Sequence, residues 1–152
     1  MRKQCKRKVY KLVNPIEFAM NGARFMDQND LRDLRIREFT SLDNITKGKG
    51  TVQDWSDLVA CLNLTEVMAM NGIGPEAMDT CMVAQRELEA AAKRYETTRR
   101  IVLTGVGIQA VRDMLEYANL QQTSIPRSQF EQMVDKTRNI MAGKGKNVVE
   151  IR

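Results

Sequence analysis

The sequence contains no histidine, and this absence limits the chemistry that its other polar residues can perform. Histidine is the commonest general base and metal ligand, and it activates the nucleophile of Ser-His and Cys-His pairs. Two acidic pairs, Asp54 with Asp57 and Glu87 with Glu89, lack the histidine partners that a two-metal helical site would add. We therefore interpret these acids as helix caps and surface residues.

Two glycine-containing segments match phosphate-binding loops only in part. Residues 48–51 (GKGT) lack the leading glycine of a P-loop, and residues 105–107 (GVG) lack the third glycine of a dinucleotide turn. Both segments are typical of helix ends. The three cysteines are far apart and include no CxxC pair, which argues against a disulfide framework and a zinc site. We expect a protein without catalytic residues, metal or cofactor, with Cys61 and Cys81 as buried thiols in a reducing cytoplasm.

Positive charge is concentrated at the two ends of the chain. Of a net charge of +5, residues 1–11 carry +6 and residues 143–152 carry +2, which leaves −3 for residues 12–142. A basic arm on an acidic body can bind phosphates, anionic lipid or an acidic protein, or it can be a solvated tail. The residues that we consider for nucleic-acid binding are Arg2, Lys3, Lys6, Arg7, Lys8, Lys11, Lys93, Arg94, Arg99, Arg100 and Arg127.

Methionines flank a turn at residues 71–75 (NGIGP). Methionine is flexible and polarizable, so it suits adaptable partner surfaces as well as irregular cores. Core filling is the alternative, because most buried methionines have no binding role. The residues that we consider for binding a partner protein are Met68, Met70, Ile73, Met78 and Met82.

These residues must be positioned by helices, because helical signals dominate the chain. Cap residues, glycine stops and apolar periodicity predict an all-α protein, a single compact bundle of five to six helices with short basic tails. We divide the chain into a basic arm (1–13), a helical domain (14–143) and a C-terminal tail (144–152). The helices are predicted at residues 15–25, from a cap at 27–30 to 47, at 52–71, 75–101 and 107–121, and from 126 or 128 to 142.

Three features of this bundle bear on partners. The helix at 52–71 is the most apolar and is predicted to lie centrally, after a capping box of Thr51 with Asp54. The helix at 75–101 has an apolar seam from Cys81 to Val102, which a second copy of the chain or another helix of the same chain could cover. Two helices joined across residues 121–128 are an ordinary hairpin or a helix-turn-helix. No apolar run approaches a membrane span of about 20 residues.

Four segments carry a resemblance to a known group of proteins: residues 13–16 (VNPI), 55–59 (WSDLV), 72–77 (GIGPEA) and 99–100 (RR). With them, the chain resembles small helical proteins of proteobacterial phages and plasmids, a group with no assigned activity. The resemblance covers about residues 8–152. It implies an accessory protein of a mobile element in the cytoplasm of a bacterial host, working by binding.

Two functions remain open from the sequence. The first is a non-enzymatic protein that binds a host protein or protein–nucleic-acid complex and inhibits a defence or regulatory protein. The alternative is a DNA- or RNA-binding accessory protein that uses the basic arm and the helix-turn-helix-like hairpin. A homodimer is possible in either case. The β-favouring runs at residues 9–13 and 148–151 could pair with each other or stay loose.

Overall fold

A computed structural model describes residues 23–143 of the chain, and these residues form a bundle of five α-helices. Within this range there is no strand, and Phe25 makes a single antiparallel bridge with Pro126. The prediction of an all-α bundle is therefore confirmed for this range. The basic arm, the C-terminal tail, both β-favouring runs and most of the helix predicted at residues 15–25 lie outside it. The helices are α1 (Gln28–Thr46), α2 (Val52–Met70), α3 (Met78–Thr98), α4 (Gly105–Ser124) and α5 (Arg127–Ala142), with a 3-10 turn at Pro75–Ala77.

The first two helices begin where local side chains satisfy their free N–H groups. Asp27 precedes α1, and its carboxylate accepts a hydrogen bond from the backbone N–H of Asn29. At the start of α2, the Thr51 hydroxyl accepts from the N–H of Asp54, whose carboxylate accepts from the N–H of Thr51. This reciprocal pair confirms the predicted capping box and fixes where α2 starts.

Helix α2 lies at the centre of the bundle, as predicted. It contacts each of the other four helices, and 11 of its 19 residues are buried. One of them, Trp55, donates a hydrogen bond from its indole Nε1 to the carbonyl oxygen of Leu88 on α3, over 3.0 Å. A helix that is apolar on most of its surface must be enclosed by its neighbours, which explains this position.

Helix α3 ends earlier than its periodicity predicts. Arg99 takes the left-handed conformation directly after Thr98, so the chain turns back before Val102 and leaves that side chain exposed. The buried part of the seam is covered by α2 and α4 of the same chain, and it leaves no exposed stripe for a second copy. The homodimer stays a prediction, and the apolar seam of α3 no longer supports it. The buried seam residues are Cys81, Ala84, Leu88 and Ala91.

The hairpin of α4 and α5 has a shorter connection than residues 121–128. Helix α4 continues to Ser124 and α5 begins at Arg127, so only Ile125 and Pro126 join them. A helix-turn-helix needs a turn of three or four residues, and this joint does not match it. Helix α5 packs on α2 and has no buried residue, so it forms the most exposed layer of the described bundle.

Candidate interaction surfaces

The five residues predicted to bind a partner protein do not form one surface. Met68 and Ile73 are buried at 0% and 8% exposure, and they pack with Ile125 in a small second core. Met78 is half-buried beside the main core, whereas Met70 and Met82 are 63% and 52% exposed. A buried side chain cannot contact a partner without unfolding, so Met68 and Ile73 are core residues and the predicted set reduces to its exposed members.

The turn between α2 and α3 is held from inside by Gln121 of α4. Its side-chain Nε2 donates to the carbonyl oxygens of Thr65 and Ile73, at 3.2 and 2.8 Å. Gly74 lies so close that a Cβ atom there would stand 2.9 Å from the Gln121 Cγ. The turn is therefore a packed part of the fold, because a buried side chain donates hydrogen bonds to a buried residue of α2 and to a buried residue within the turn.

Three exposed cations of the body lie close together in the sequence where α3 ends. We define the α3–α4 corner as residues 93–104, which comprise the last turn and a half of α3 and the connection to α4. Lys93, Arg99 and Arg100 are exposed there, and none forms an ion pair with another residue of the described range. Unpaired cations on one corner make a local positive surface on a body that is acidic in net charge.

Arg94, another of the residues considered for nucleic-acid binding, makes a contact within the fold. Its guanidinium donates to the carbonyl oxygen of Val102 at 2.7 Å, and its Nε is buried. This bond ties the returning chain to α3 across eight residues. One N–H of the Arg94 guanidinium is thus used within the fold, and the predicted nucleic-acid contact at this residue stays a prediction.

The connection after the turn is extended and firmly packed. Ile101 and Leu103 are buried, whereas Val102 between them is exposed. Thr104 then caps α4, because its hydroxyl accepts from the N–H of Gly107 and donates to the carboxylate of Glu87. Hydrogen bonds thus fix the α3–α4 corner to α3 at Arg94 and to the start of α4 at Thr104, and its exposed cations lie on this fixed backbone.

Arg99 has a left-handed backbone conformation, which is unusual for a residue other than glycine. Its φ is 57°, the only positive φ among non-glycine residues of the described range. Its N–H donates to the carbonyl oxygen of Tyr95 at 2.9 Å, and its guanidinium carbon lies 5.5 Å from the centre of the Tyr95 ring. The turn and the ring together keep the charged group on the surface of α3.

Arg127, at the start of α5, is committed to a local ion pair. Its Nε lies 3.0 Å from a carboxylate oxygen of Glu131, one turn further along the helix. Its backbone N–H donates to the carbonyl oxygen of Arg24. The side chains of Arg127 and Glu131 are both exposed, so their ion pair contributes little stability, and a phosphate could replace Glu131 as the partner of Arg127. The other predicted contacts, the six basic residues of the arm, lie outside the described residues.

A buried polar cluster between α1 and α2 has no equivalent in the sequence interpretation. Glu38 is only 7% exposed. Its pKa is raised to about 7, chiefly because burial disfavours the charged carboxylate. A hydrogen bond with Cys61 and the charge of Arg37 lower this pKa, whereas Asp57 raises it. The carboxylate of Asp57 in turn accepts from the hydroxyl of Ser41 at 3.3 Å.

The thiols in and near this cluster are not set up as nucleophiles. Burial, and then the charge of Glu38, raise the pKa of Cys61 well above its usual value. Burial also raises the pKa of Cys81 to about 12, with a contribution from Glu66. Reactive cysteines need a lowered pKa and access, so these two act as small apolar residues. Their predicted burial as free thiols is confirmed.

Comparison of the chain with protein families, curated proteins and solved structures finds no match. The resemblance to phage and plasmid proteins stays a prediction. None of the helices in residues 23–143 combines the length and apolar composition that crossing a bilayer requires. In the same residues, no group of three acidic, cysteine or histidine side chains is placed to hold a metal ion.

Proposed function

We propose that this protein is a non-enzymatic nucleic-acid-binding protein that grips phosphates with its basic arm and its α3–α4 corner. The observation that carries the proposal is the set of three exposed cations at that corner, Lys93, Arg99 and Arg100, which lack ion-pair partners in the described residues. Cations without an ion-pair partner can neutralise phosphates of a nucleic acid and so release the counterions condensed on it.

The distribution of charge supports contact through a few defined regions. Residues 1–11 add six positive charges, whereas residues 23–143 carry −2 in total. The negative net charge of the body opposes the approach of a polyanion, so in this proposal contact depends on the arm and on the cations of the α3–α4 corner. The division into an arm (1–13), a helical domain (14–143) and a tail (144–152) therefore corresponds to a division of roles in this proposal.

The aromatic side chains favour phosphate contacts over base stacking. In residues 23–143, Phe25 is the one aromatic residue that is largely exposed, whereas Trp55 is buried and Tyr95 lies beneath Arg99. Single-strand binding platforms need several exposed rings on which successive bases stack. We therefore expect salt-sensitive binding with little preference for sequence.

The test is the salt dependence of binding to a labelled DNA duplex and to a single strand, measured by fluorescence anisotropy. The wild-type slope of log affinity against log salt should be steep. Replacing the six basic residues of the arm by glutamine in the full chain should reduce it by up to about 5, at about 0.9 per lost duplex phosphate contact. The double variant Lys93→Gln, Arg100→Gln should reduce it by about 2.

The control is the double variant Arg32→Gln, Arg112→Gln, which removes two exposed charges outside the corner. It should keep the wild-type slope. Wild-type protein without measurable affinity at about 50 mM salt, or with an affinity that salt does not change, would contradict the proposal.

A protein partner is the second candidate, and a specific observation favours it. Met70 and Met82 expose more than half of their surface, and flexible methionine side chains suit adaptable partner surfaces. The sequence resemblance implies a host protein, including defence complexes, as the partner, and a bacterial cytoplasm as the location. If a host protein is captured, its affinity for the variant Met70→Ser, Met82→Ser should be lower than for wild type. Equal affinities would exclude Met70 and Met82 as contacts of that partner.

A further inference from the structure

Among residues 23–143, left-handed residues follow three of the helices, and one of the three differs from the others. Gly48 follows α1 with φ of 76°, and Gly72 follows α2 with φ of 82°. After α3 the same conformation is taken by Arg99. A residue with a Cβ atom is strained there, because the Cβ approaches the following carbonyl oxygen, whereas glycine has no such contact.

The helix end does not need an arginine in order to turn. The bond that closes the turn runs from the backbone N–H of Arg99 to the carbonyl oxygen of Tyr95, and glycine would donate it equally well. The next bond, from the N–H of Arg100 to the Thr98 hydroxyl, is also independent of the side chain at position 99. Glycine at this position would thus make the same turn without the strain.

The contacts of the Arg99 side chain do not account for its presence. Its guanidinium lies over the exposed edge of α3 above Tyr95, and it pairs with no acidic group in residues 23–143. A cation over a ring at an exposed site is a weak interaction, and it offsets only part of the backbone strain. The residue therefore costs stability that Gly48 and Gly72 do not cost at their helices.

We propose that Arg99 is the principal phosphate contact of the folded body, and that its charge is kept at a strained position for binding. Strained residues cluster at functional sites, where the surrounding structure holds them in place. Here the Arg94–Val102 bond and the buried Ile101 and Leu103 supply that support. This inference rests on the proposed nucleic-acid binding. It predicts that a substitution at Arg99 that raises stability lowers affinity for nucleic acid.

The experiment compares four full-length variants with wild type in urea unfolding and in duplex DNA binding at about 0.1 M salt. Arg99→Gly should raise the unfolding midpoint and weaken binding roughly eightfold, the loss of one phosphate contact. Arg99→Asn, which tolerates the turn but lacks the charge, should bind as weakly. Arg99→Lys should keep affinity within about threefold, without the gain in stability. The control Arg112→Gln should match wild type in both assays.

The outcomes distinguish failure of this inference from failure of the proposed function. If Arg99→Gly and Arg99→Asn bind like wild type while the arm variant loses its salt dependence, Arg99 is not the contact and nucleic-acid binding still stands. If Arg99→Gly lowers the unfolding midpoint, the strain argument is overturned. If wild type does not bind DNA or a single strand at low salt, both fail together. Gain of stability with loss of affinity in one variant supports the inference.

Discussion

Replacing Glu38 by glutamine should remove a pH dependence of folding that the buried acid creates. The pKa of Glu38 is raised from 4.5 to about 7, chiefly because burial disfavours the charged carboxylate. The folded state therefore binds its proton more tightly than the unfolded state does. The contribution to stability is fully present below pH 4.5 and is lost as the pH rises through about 7.

The size of the effect follows from the difference between the two pKa values. One pKa unit corresponds to 1.36 kcal/mol, so raising the pKa of Glu38 from 4.5 to about 7 is worth about 3 kcal/mol. The free energy of unfolding should fall by this order between about pH 5 and about pH 8. Burial tends to raise the pKa of Asp54, but hydrogen bonds from Thr51 and Asn44 lower it by more, so the net pKa lies below its usual value. Asp54 therefore titrates below this pH window.

The measurement is the urea midpoint, followed by far-UV circular dichroism, at several pH values across this window. Glu38→Gln keeps the shape and neutrality of the protonated acid, so its midpoint should stay level and exceed that of wild type at the upper end. The exposed Glu96→Gln should keep the wild-type decline. A wild-type midpoint that rises or stays level, or a decline that Glu38→Gln shares, would refute the reasoning.

Two further predictions concern packing, and urea unfolding checks both. Leu62→Ala should cost roughly 2–5 kcal/mol, because Leu62 is 0% exposed and its truncation leaves a cavity, whereas Leu120→Ala, at 62% exposure, should cost little. Gly74→Ala should cost roughly 1–2 kcal/mol from its positive φ alone, with the close approach to Gln121 adding to it. Gly105→Ala meets no neighbouring atom and should be tolerated.

The starts of α1 and α2 and the central position of α2 could be predicted because each depends on local properties of the sequence. Asp27 and Thr51 cap helices through atoms two or three residues away, so the necessary groups stand side by side in the chain. The all-round apolar composition of residues 52–71 likewise predicts enclosure without any knowledge of its neighbours.

The end of α3 was predicted less well because packing against the neighbouring helices overrides the local periodicity there. The apolar period continues from Tyr95 through Thr98 to Val102, and no glycine or proline interrupts it. The structure ends the helix at Arg99, where burial of Ile101 and Leu103 in the core outweighs the strain of a left-handed arginine. Such a gain depends on the neighbouring helices, so it leaves no mark in the periodicity.

The sequence by itself predicts a helical bundle between basic ends, the helix caps at Asp27 and Thr51, and the absence of histidine chemistry. Only the tertiary structure decides that Met68 is core, that Arg94 is a brace and that Glu38 is a buried acid beside Cys61. The physical reason is the range of the interactions. Caps and amphipathic periods are set by residues within a few positions, whereas burial and the pKa of a side chain are set by residues that only packing brings together.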